Sequence, residues 1–265
     1  GVAWATRSDV NGGIVSKSYG LIADLLPATS DNTDIYRVMY KALFGTAPEE
    51  VSVTRFVGTS GEDELVGTEA NESFIALAGN DLVAGGLGDD IILGGDGDDI
   101  LRGDLNNRSP QDGDAGGNDI IFGGAGNDRI GGKAGNDILI GDMGDDAIWG
   151  DDGDDLIFGG EGNDTLVGDN SSSGSGSDLF VFGTGDGTDT ILDFAVGTDF
   201  IGLIASEITF ADLTLTQEGN NTSLGVTSSG EVLAVLENVQ ATDLTESSFV
   251  SVSDIANPQA SLATI

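Results

Sequence analysis

A nine-residue period runs through the middle of the chain and restricts it to a repetitive fold. The stretches GDMGDDAIW, GDDGDDLIF and GGEGNDTLV follow one another over residues 141–167 and place glycine, aspartate and an apolar residue at the same offsets. Twelve such units begin between Gly58 and Gly168, each at a glycine except for one that begins at Ala76. Because the period recurs in tandem, each unit buries its apolar residue only by stacking on its neighbours.

Three positions of the unit carry the pattern. The fourth position is glycine in eleven of twelve units, the exception being Ala70, and the eighth position is always apolar. The sixth position is aspartate in eleven units and Glu72 in the other. Two units are interrupted by extra residues, around 106–113 and 171–175. The sixth-position aspartates are Asp63, Asp81, Asp90, Asp99, Asp119, Asp128, Asp137, Asp146, Asp155, Asp164 and Asp178.

Each unit divides into a glycine-rich half and a short apolar half. The first half turns tightly because glycine tolerates positive φ, and the second half suits a short strand with alternating faces. Two units close one coil of eighteen residues, so loops eighteen residues apart stack on the same edge. At about 4.8 Å per strand, six coils give a roll about 30 Å long. The predicted fold is mainly β, a parallel β-roll, which is a β-helix solenoid.

Composition excludes several classes of function. The chain carries 46 acidic residues against 9 basic ones, for a net charge of −37, so it repels nucleic acid and anionic membranes and attracts cations. Histidine and cysteine are absent, which excludes histidine-zinc sites, thiolate sites and a Ser-His-Asp triad within this chain. Paired carboxylates recur with the repeat, so ion binding explains them better than glycoside hydrolysis does. We therefore predict no catalytic residues here.

The stacked aspartates indicate a metal. Carboxylates a few ångströms apart repel each other strongly, and a divalent cation between the loops reverses the sign of the interaction. A loop of carboxylate and carbonyl oxygens without soft ligands favours Ca²⁺ over Mg²⁺. An EF-hand is disfavoured because glycines surround the sequence DDGDD at 151–155. The predicted carboxylate ligands are Asp81, Asp90, Asp99, Asp119, Asp128, Asp137, Asp146, Asp155, Asp164 and Asp178.

The units resemble the nonapeptide Gly-Gly-x-Gly-x-Asp-x-apolar-x of RTX (repeats-in-toxin) proteins, a calcium-binding parallel β-helix repeat. GGLGDDIIL at 85–93, GGDGDDILR at 94–102 and GGAGNDRIG at 123–131 are near-complete copies. The resemblance implies that carbonyls of positions two and four join the aspartates, with roughly six to nine Ca²⁺ ions in all. Among these positions we expect ligation at Gly86, Gly88, Gly95, Gly97, Gly124, Gly126, Gly135, Gly144, Gly153, Gly160 and Gly162.

In this arrangement each ion lies between two loops of one edge. Ala70 and Glu72 depart from the pattern and weaken the first coil, and the insertion before Asp178 disturbs the last site. At Lys133, in position two, only the carbonyl is needed. The expected pairs are Asp81–Asp99, Asp99–Asp128, Asp128–Asp146 and Asp146–Asp164 on one edge, and Asp90–Asp119, Asp119–Asp137 and Asp137–Asp155 on the other.

The resemblance also implies export by type I secretion machinery and a chain that folds only outside the cell, where calcium is abundant. We expect a calcium-dependent folding and secretion domain of a secreted or cell-surface protein. One alternative is a surface-layer or adhesion module that assembles through calcium and an apolar sheet face. Another is the non-catalytic C-terminal part of a secreted protease, lipase or toxin.

The two ends differ from the repeats, which predicts three segments. Residues 1–57 form a helical N-terminal cap or the remnant of an upstream domain, with Ile35, Val38, Met39 and Leu43 on one face of a helix over 33–44. Residues 58–182 form the β-roll. Residues 183–265 form a β-rich cap whose tail carries the secretion signal, and 177–203 resembles the cap of RTX domains. We expect the chain to be a piece of a longer protein.

One face of the roll is apolar. In the strands that follow Asp90, Asp119, Asp137, Asp155 and Asp178, the outward seventh and ninth positions are Ile91, Leu93, Ile120, Phe122, Ile138, Ile140, Leu156, Phe158, Leu179 and Val181. Exposed apolar patches of this size are unusual in soluble proteins. We therefore predict that this face is covered by the N-terminal segment, by an upstream domain or by self-association. Both insertions lie in loops that lead into these strands, so we expect them on the same edge of the roll.

Overall fold

A computed structural model describes residues 54–105, 116–169, 176–204 and 208–252. The predicted helix over 33–44, the inserted residues around 106–113 and 171–175, and the tail after residue 252 lie outside the described residues. Within the described ranges the chain forms nineteen short strands and three 3₁₀ turns. None of the described helical segments is long and apolar enough to cross a membrane.

The strands recur with the sequence period. In chain order they are β1 (Thr54–Val57), β2 (Glu64–Val66), β3 (Glu72–Ala78), β4 (Leu82–Ala84), β5 (Ile91–Asp96), β6 (Ile100–Arg102), β7 (Ile120–Ala125), β8 (Arg129–Ala134), β9 (Ile138–Met143), β10 (Ala147–Asp152), β11 (Leu156–Glu161), β12 (Thr165–Asp169), β13 (Leu179–Phe182), β14 (Asp189–Ile191), β15 (Phe200–Ile204), β16 (Leu213–Glu218), β17 (Asn221–Val226), β18 (Val232–Leu236) and β19 (Phe249–Val252). The 3₁₀ turns are Phe210–Asp212, Ala241–Asp243 and Glu246–Ser248.

Successive strands alternate between two sheets. Sheet A has the order β1-β3-β5-β7-β9-β11-β13-β15-β19, and all of its neighbours are parallel. Sheet B has the order β2-β4-β6-β8-β10-β12-β14-β18-β17-β16, parallel up to β18 and antiparallel beyond it. The fold is therefore the predicted mainly β architecture of stacked parallel coils.

The eighth-position side chains fill the space between the sheets. Ile130 pairs with Ile148, and Ile148 pairs with Leu166, so each apolar residue lies beside its counterpart one coil away. Burial of one such side chain contributes about 1.5–3 kcal/mol, which makes this column the main apolar support of the roll. Residues of this column with no exposed surface are Phe74, Val83, Ile92, Leu101, Ile121, Ile130, Leu139, Ile148, Ile157, Leu166 and Phe180.

The two ends of the column are closed differently. At the N-terminal end the ring of Phe56 stacks on Phe74 with centroids 4.8 Å apart. At the other end the parallel stacking continues across residue 182, since β14 pairs with β12 and β15 pairs with β13. The antiparallel strands β16, β17 and β18 then end sheet B, within the segment 183–265 in which the sequence predicts β-structure.

Candidate metal centre

The sixth-position carboxylates form two ladders, one on each edge of the roll. The loops that lead from sheet B into sheet A define the BA edge, and those that lead from sheet A into sheet B define the AB edge. In both ladders a backbone N–H donates to the Oδ1 of the aspartate one coil later. The Asp119 amide lies 2.8 Å from Oδ1 of Asp137, and the Asp128 amide lies 2.7 Å from Oδ1 of Asp146.

The ladders bring together all ten aspartates that the sequence singles out, in the expected neighbour relations. Asp178 keeps its place despite the preceding insertion, because its Oδ1 accepts a hydrogen bond from the Asp155 amide at 3.0 Å. The BA ladder comprises Glu72, Asp90, Asp119, Asp137, Asp155, Asp178 and Asp199. The AB ladder comprises Asp63, Asp81, Asp99, Asp128, Asp146, Asp164 and Asp189.

The second carboxylate oxygen of these aspartates is buried and lacks a donor. Among the described residues, no hydrogen-bond partner reaches the Oδ2 atoms of Asp81, Asp90, Asp99, Asp119, Asp128, Asp137, Asp146, Asp155, Asp164 and Asp178. All ten side chains are 2 % exposed or less. A buried carboxylate oxygen without a partner costs several kcal/mol unless a cation neutralises it. The residues present therefore fit a row of bound cations along each edge.

A carbonyl oxygen lies beside seven of these ten Oδ2 atoms. A Cβ placed on Gly132 would overlap Oδ2 of Asp137 and lie 2.8 Å from the carbonyl oxygen of Gly150, one coil later. The same pair of acceptors flanks the first-position glycine of six other units. Because glycine has no side chain, a carboxylate oxygen and a carbonyl oxygen face the same small space.

The loop carbonyls of positions two and four also point along the edge toward the next coil. Gly126 has φ +138°, and a Cβ added to it would overlap the carbonyl oxygen of Gly97 in the preceding coil. Gly135, with φ +120°, meets the carbonyl of Gly117 in the same way. All of the loop glycines predicted as ligands except Gly88 have positive φ. The loops thus present rows of carbonyl oxygens between the stacked carboxylates.

The electrostatics of the ladders favour neutralisation. Burial, with a contribution from the ladder neighbours Asp128 and Asp164, raises the pKa of Asp146 to about 8. Burial likewise raises the pKa of Asp137 well above its usual range, with Asp155 and Asp119 adding to the effect. Without a cation, the raised pKa of these carboxyl groups makes their charged form costly in the folded chain at neutral pH.

The donor set consists of oxygens alone. Among the described residues, no three Asp or Glu side chains converge so as to hold an ion without other ligands. Backbone carbonyls must therefore complete the coordination shell. Carboxylate and carbonyl oxygens in irregular loops suit a hard cation that takes six to eight ligands, of which Ca²⁺ is the usual case.

Three of the four ladder ends are closed by protein donors instead. Oδ2 of Asp63 accepts hydrogen bonds from the amide of Thr59 at 2.6 Å and from its hydroxyl at 3.0 Å. Glu72 accepts from the amide and hydroxyl of Thr68 at 2.8 and 2.6 Å. Oδ2 of Asp199 accepts from the amide of Ala195 at 2.7 Å. These terminal carboxylates therefore need no cation.

Two members of the ladders, Asp189 and Asp199, were not predicted from the sequence. Oδ1 of Asp189 accepts a hydrogen bond from the Asp164 amide at 3.0 Å, and Oδ1 of Asp199 accepts one from the Asp178 amide at 3.3 Å. A signal was present, because the spacing Gly-x-Asp-x-apolar recurs at 187–191 and at 197–201. The first three positions of the unit are altered there, which hid the match.

Lys133 also has a larger role than its carbonyl alone. Its Nζ lies 3.3 Å from Oδ2 of Asp151, and both side chains are almost fully buried. The ammonium group also lowers the pKa of Asp104, opposing the effect of burial. All three residues stand at second positions of the BA edge, so one lysine supplies a positive charge from within the chain.

Comparison with known proteins identifies the repeats. A family model described as the RTX calcium-binding nonapeptide repeat (4 copies) matches residues 57–92, 66–101, 75–108, 114–139 and 140–171. Residues 57–108 and 114–171 therefore match RTX calcium-binding nonapeptide repeats, and the described part of these ranges forms the predicted β-roll.

Solved structures with similarity to the chain include those of a lipase and of an epimerase subunit. The extracellular lipase LipA from Serratia marcescens is 18% identical with a TM-score of 0.38, covering 77% of this chain and 40% of the lipase. The AlgE6R3 subunit of the Azotobacter vinelandii mannuronan C5-epimerase is 21% identical with a TM-score of 0.26, covering 77% of this chain and 86% of the subunit. The chain thus spans less than half the length of the lipase. No curated protein sequence matches the chain.

Proposed function

We propose that the chain is a calcium-dependent folding and secretion domain of an extracellular or cell-surface protein, without catalytic activity of its own. The observation that carries the proposal is the row of ten buried aspartates whose Oδ2 atoms lack a donor among the described residues. Calcium ions between the loops would bind these oxygens together with the carbonyls of positions two and four. The calcium-binding type of the matched repeats supports this reading.

In the proposed function, ion binding is coupled to folding of the chain. In the unfolded chain the aspartates of one ladder are separated by at least eighteen residues, so the ligand cage exists only when the coils stack. Apart from the carbonyls, every ligand carries negative charge, and stacking without ions brings these charges together. The chain would therefore stay unfolded where calcium is scarce and fold after export, with type I secretion machinery as its partner in the cell.

The unpartnered carboxylates also set the number of ions. Five successive aspartates with free Oδ2 atoms on each edge enclose four intervals, or eight intervals in all. We expect about eight bound Ca²⁺ ions per chain, measured by equilibrium dialysis with metal analysis at saturating calcium. Magnesium at equal concentration serves as the control, and we expect it to leave the sites largely empty because it needs a smaller octahedral shell. A count of two ions or fewer would contradict the proposal.

The hydrogen bonds from Thr68 to Glu72 in the first coil predict where the row of bound ions begins. In the double variant Thr68→Gly, Glu72→Asp, the hydroxyl donor is lost and the shorter carboxylate takes the place it has elsewhere in the ladder. One additional ion should then bind between residues 72 and 90. Glu62→Asp, an exposed acid of the same coil, is the matched control and should not alter the count. An unchanged count in the double variant would mean that these hydrogen bonds do not limit the array.

A further inference from the structure

The outer side of sheet A is apolar and buried. At the seventh position of its strands, Ile120 is 2 % exposed, Ile138 is 5 % exposed, and both Leu156 and Leu179 have no exposed surface. These side chains point away from the core between the sheets, and they form a second apolar cluster. The exposures refer to a single chain by itself. Of the ten residues predicted on this face, seven are buried within the single chain, whereas Leu93, Phe122 and Ile140 are half-buried.

Sheet B provides an internal comparison. Its own seventh positions include Glu64 and Arg129, which are exposed, and Ile100, Ala147 and Thr165, which are half-buried. Neighbours within a sheet thus leave an outward side chain at most half-buried. Burial of the corresponding row in sheet A requires a further layer of chain above it.

The described residues do not supply that layer. All members of the outer cluster belong to strands of sheet A itself, from Ile91 on β5 to Val252 on β19. The buried part of the outer face begins at β3, where Ser73 and Ile75 are buried, whereas Arg55 and Val57 on β1 are exposed. From β3 to β13 it extends across the strands for about 24 Å.

We propose that residues 1–53 of this chain pack against the outer face of sheet A. This segment is 53 residues long and ends where β1 of the same sheet begins. The helix that the sequence predicts over 33–44 is about 18 Å long and presents Ile35, Val38, Met39 and Leu43 on one face. Among the other segments outside the described residues, 253–265 has only Ile255, Leu262 and Ile265 as large apolar residues, and 106–115, 170–175 and 205–207 have none.

Charge complementarity favours the same segment. It contains four of the nine basic residues of the chain, Arg7, Lys17, Arg37 and Lys41, whereas the roll is strongly acidic. Within the predicted helix, Arg37 and Lys41 outnumber the acid Asp34. The whole segment has six acids against these four bases, so it is much less acidic than the roll, and the predicted helix has a net charge of +1. Such a helix, with its basic residues opposite its apolar face, can cover the sheet between the two acidic edges with little like-charge repulsion.

The absence of cysteine from the chain makes a labelling test direct. A thiol reagent is applied to calcium-saturated full-length Ile138→Cys, and to Ala147→Cys, the same position in a strand of sheet B. We expect the cysteine at 138 to react far more slowly. Adding Val38→Asn and Leu43→Asn should raise its rate about tenfold or more, because the covering layer is lost. Thr33→Asn, an uncharged position on the polar side of the predicted helix, should leave the rate unchanged.

The outcomes separate the candidate coverings. The proposal is overturned if Val38→Asn with Leu43→Asn leaves the cysteine at 138 protected. It is also overturned if deletion of 253–265 removes the protection, or if protection appears only at concentrations where the chain dimerises. Phe122→Cys, at the half-buried margin of the cluster, repeats the test at a position that tolerates substitution better. Circular dichroism with calcium present verifies the fold of each variant, so a failure of calcium binding is recognised separately.

Discussion

Removal of calcium with EGTA is expected to abolish the β-sheet signal of the chain in far-ultraviolet circular dichroism. Ten aspartates with buried, donorless Oδ2 atoms face one another in the two ladders. If each of these carboxylates costs even a few kcal/mol, their summed cost exceeds the free energy of unfolding of a typical domain, about 5–15 kcal/mol. Without ions the stacked coils are therefore less stable than the unfolded chain at neutral pH.

The reverse titration sharpens the test. Calcium added back to the EGTA-treated chain should restore the β signal in one cooperative step, because each coil stacks only on a coil that is already formed. The midpoint should fall at a lower concentration for calcium than for magnesium. An unchanged spectrum in excess EGTA would show that the ladders are stable without ions, and the calcium-dependent function would then be wrong.

Replacing Asp137 by asparagine is expected to remove two bound ions and to shift the calcium midpoint of folding upward by at least about tenfold. Oδ1 of Asp137 accepts the Asp119 amide, and the Asp137 amide donates to Asp155, both at 2.8 Å. Asparagine preserves both hydrogen bonds and changes only the charged Oδ2. Because this carboxylate lies between two intervals of the BA ladder, the loss affects both, at a cost of about 3–5 kcal/mol by analogy with a broken buried ion pair.

Asp154→Asn is the matched control for this variant. Asp154 carries the same charge, precedes the ladder residue Asp155 and is exposed. We expect its substitution to leave both the number of ions and the folding midpoint within error. If Asp137→Asn loses at most one ion, adjacent sites do not share carboxylates and the interval count of eight is wrong.

The sequence alone determined the length of one coil and which side chains face its interior. The nine-residue spacing places Asp137 and Asp155 one coil apart, and the alternation of faces sends Ile148 inward. Both follow from covalent geometry, since two units close one turn and strand side chains alternate. The same Gly-x-Asp-x-apolar spacing is present at Asp189 and Asp199, but the first three positions of the unit differ there, so the match was not recognised.

Only the tertiary structure decided which carboxylates lack partners. Asp63 and Asp137 occupy the same position of the unit, yet Thr59 supplies donors to Oδ2 of Asp63 and no described residue supplies one to Oδ2 of Asp137. The pairing of Lys133 with Asp151 likewise depends on two loops eighteen residues apart. Hydrogen bonds and burial depend on the neighbours that stacking brings within about 3 Å, and a repeat pattern specifies the stacking but not those contacts.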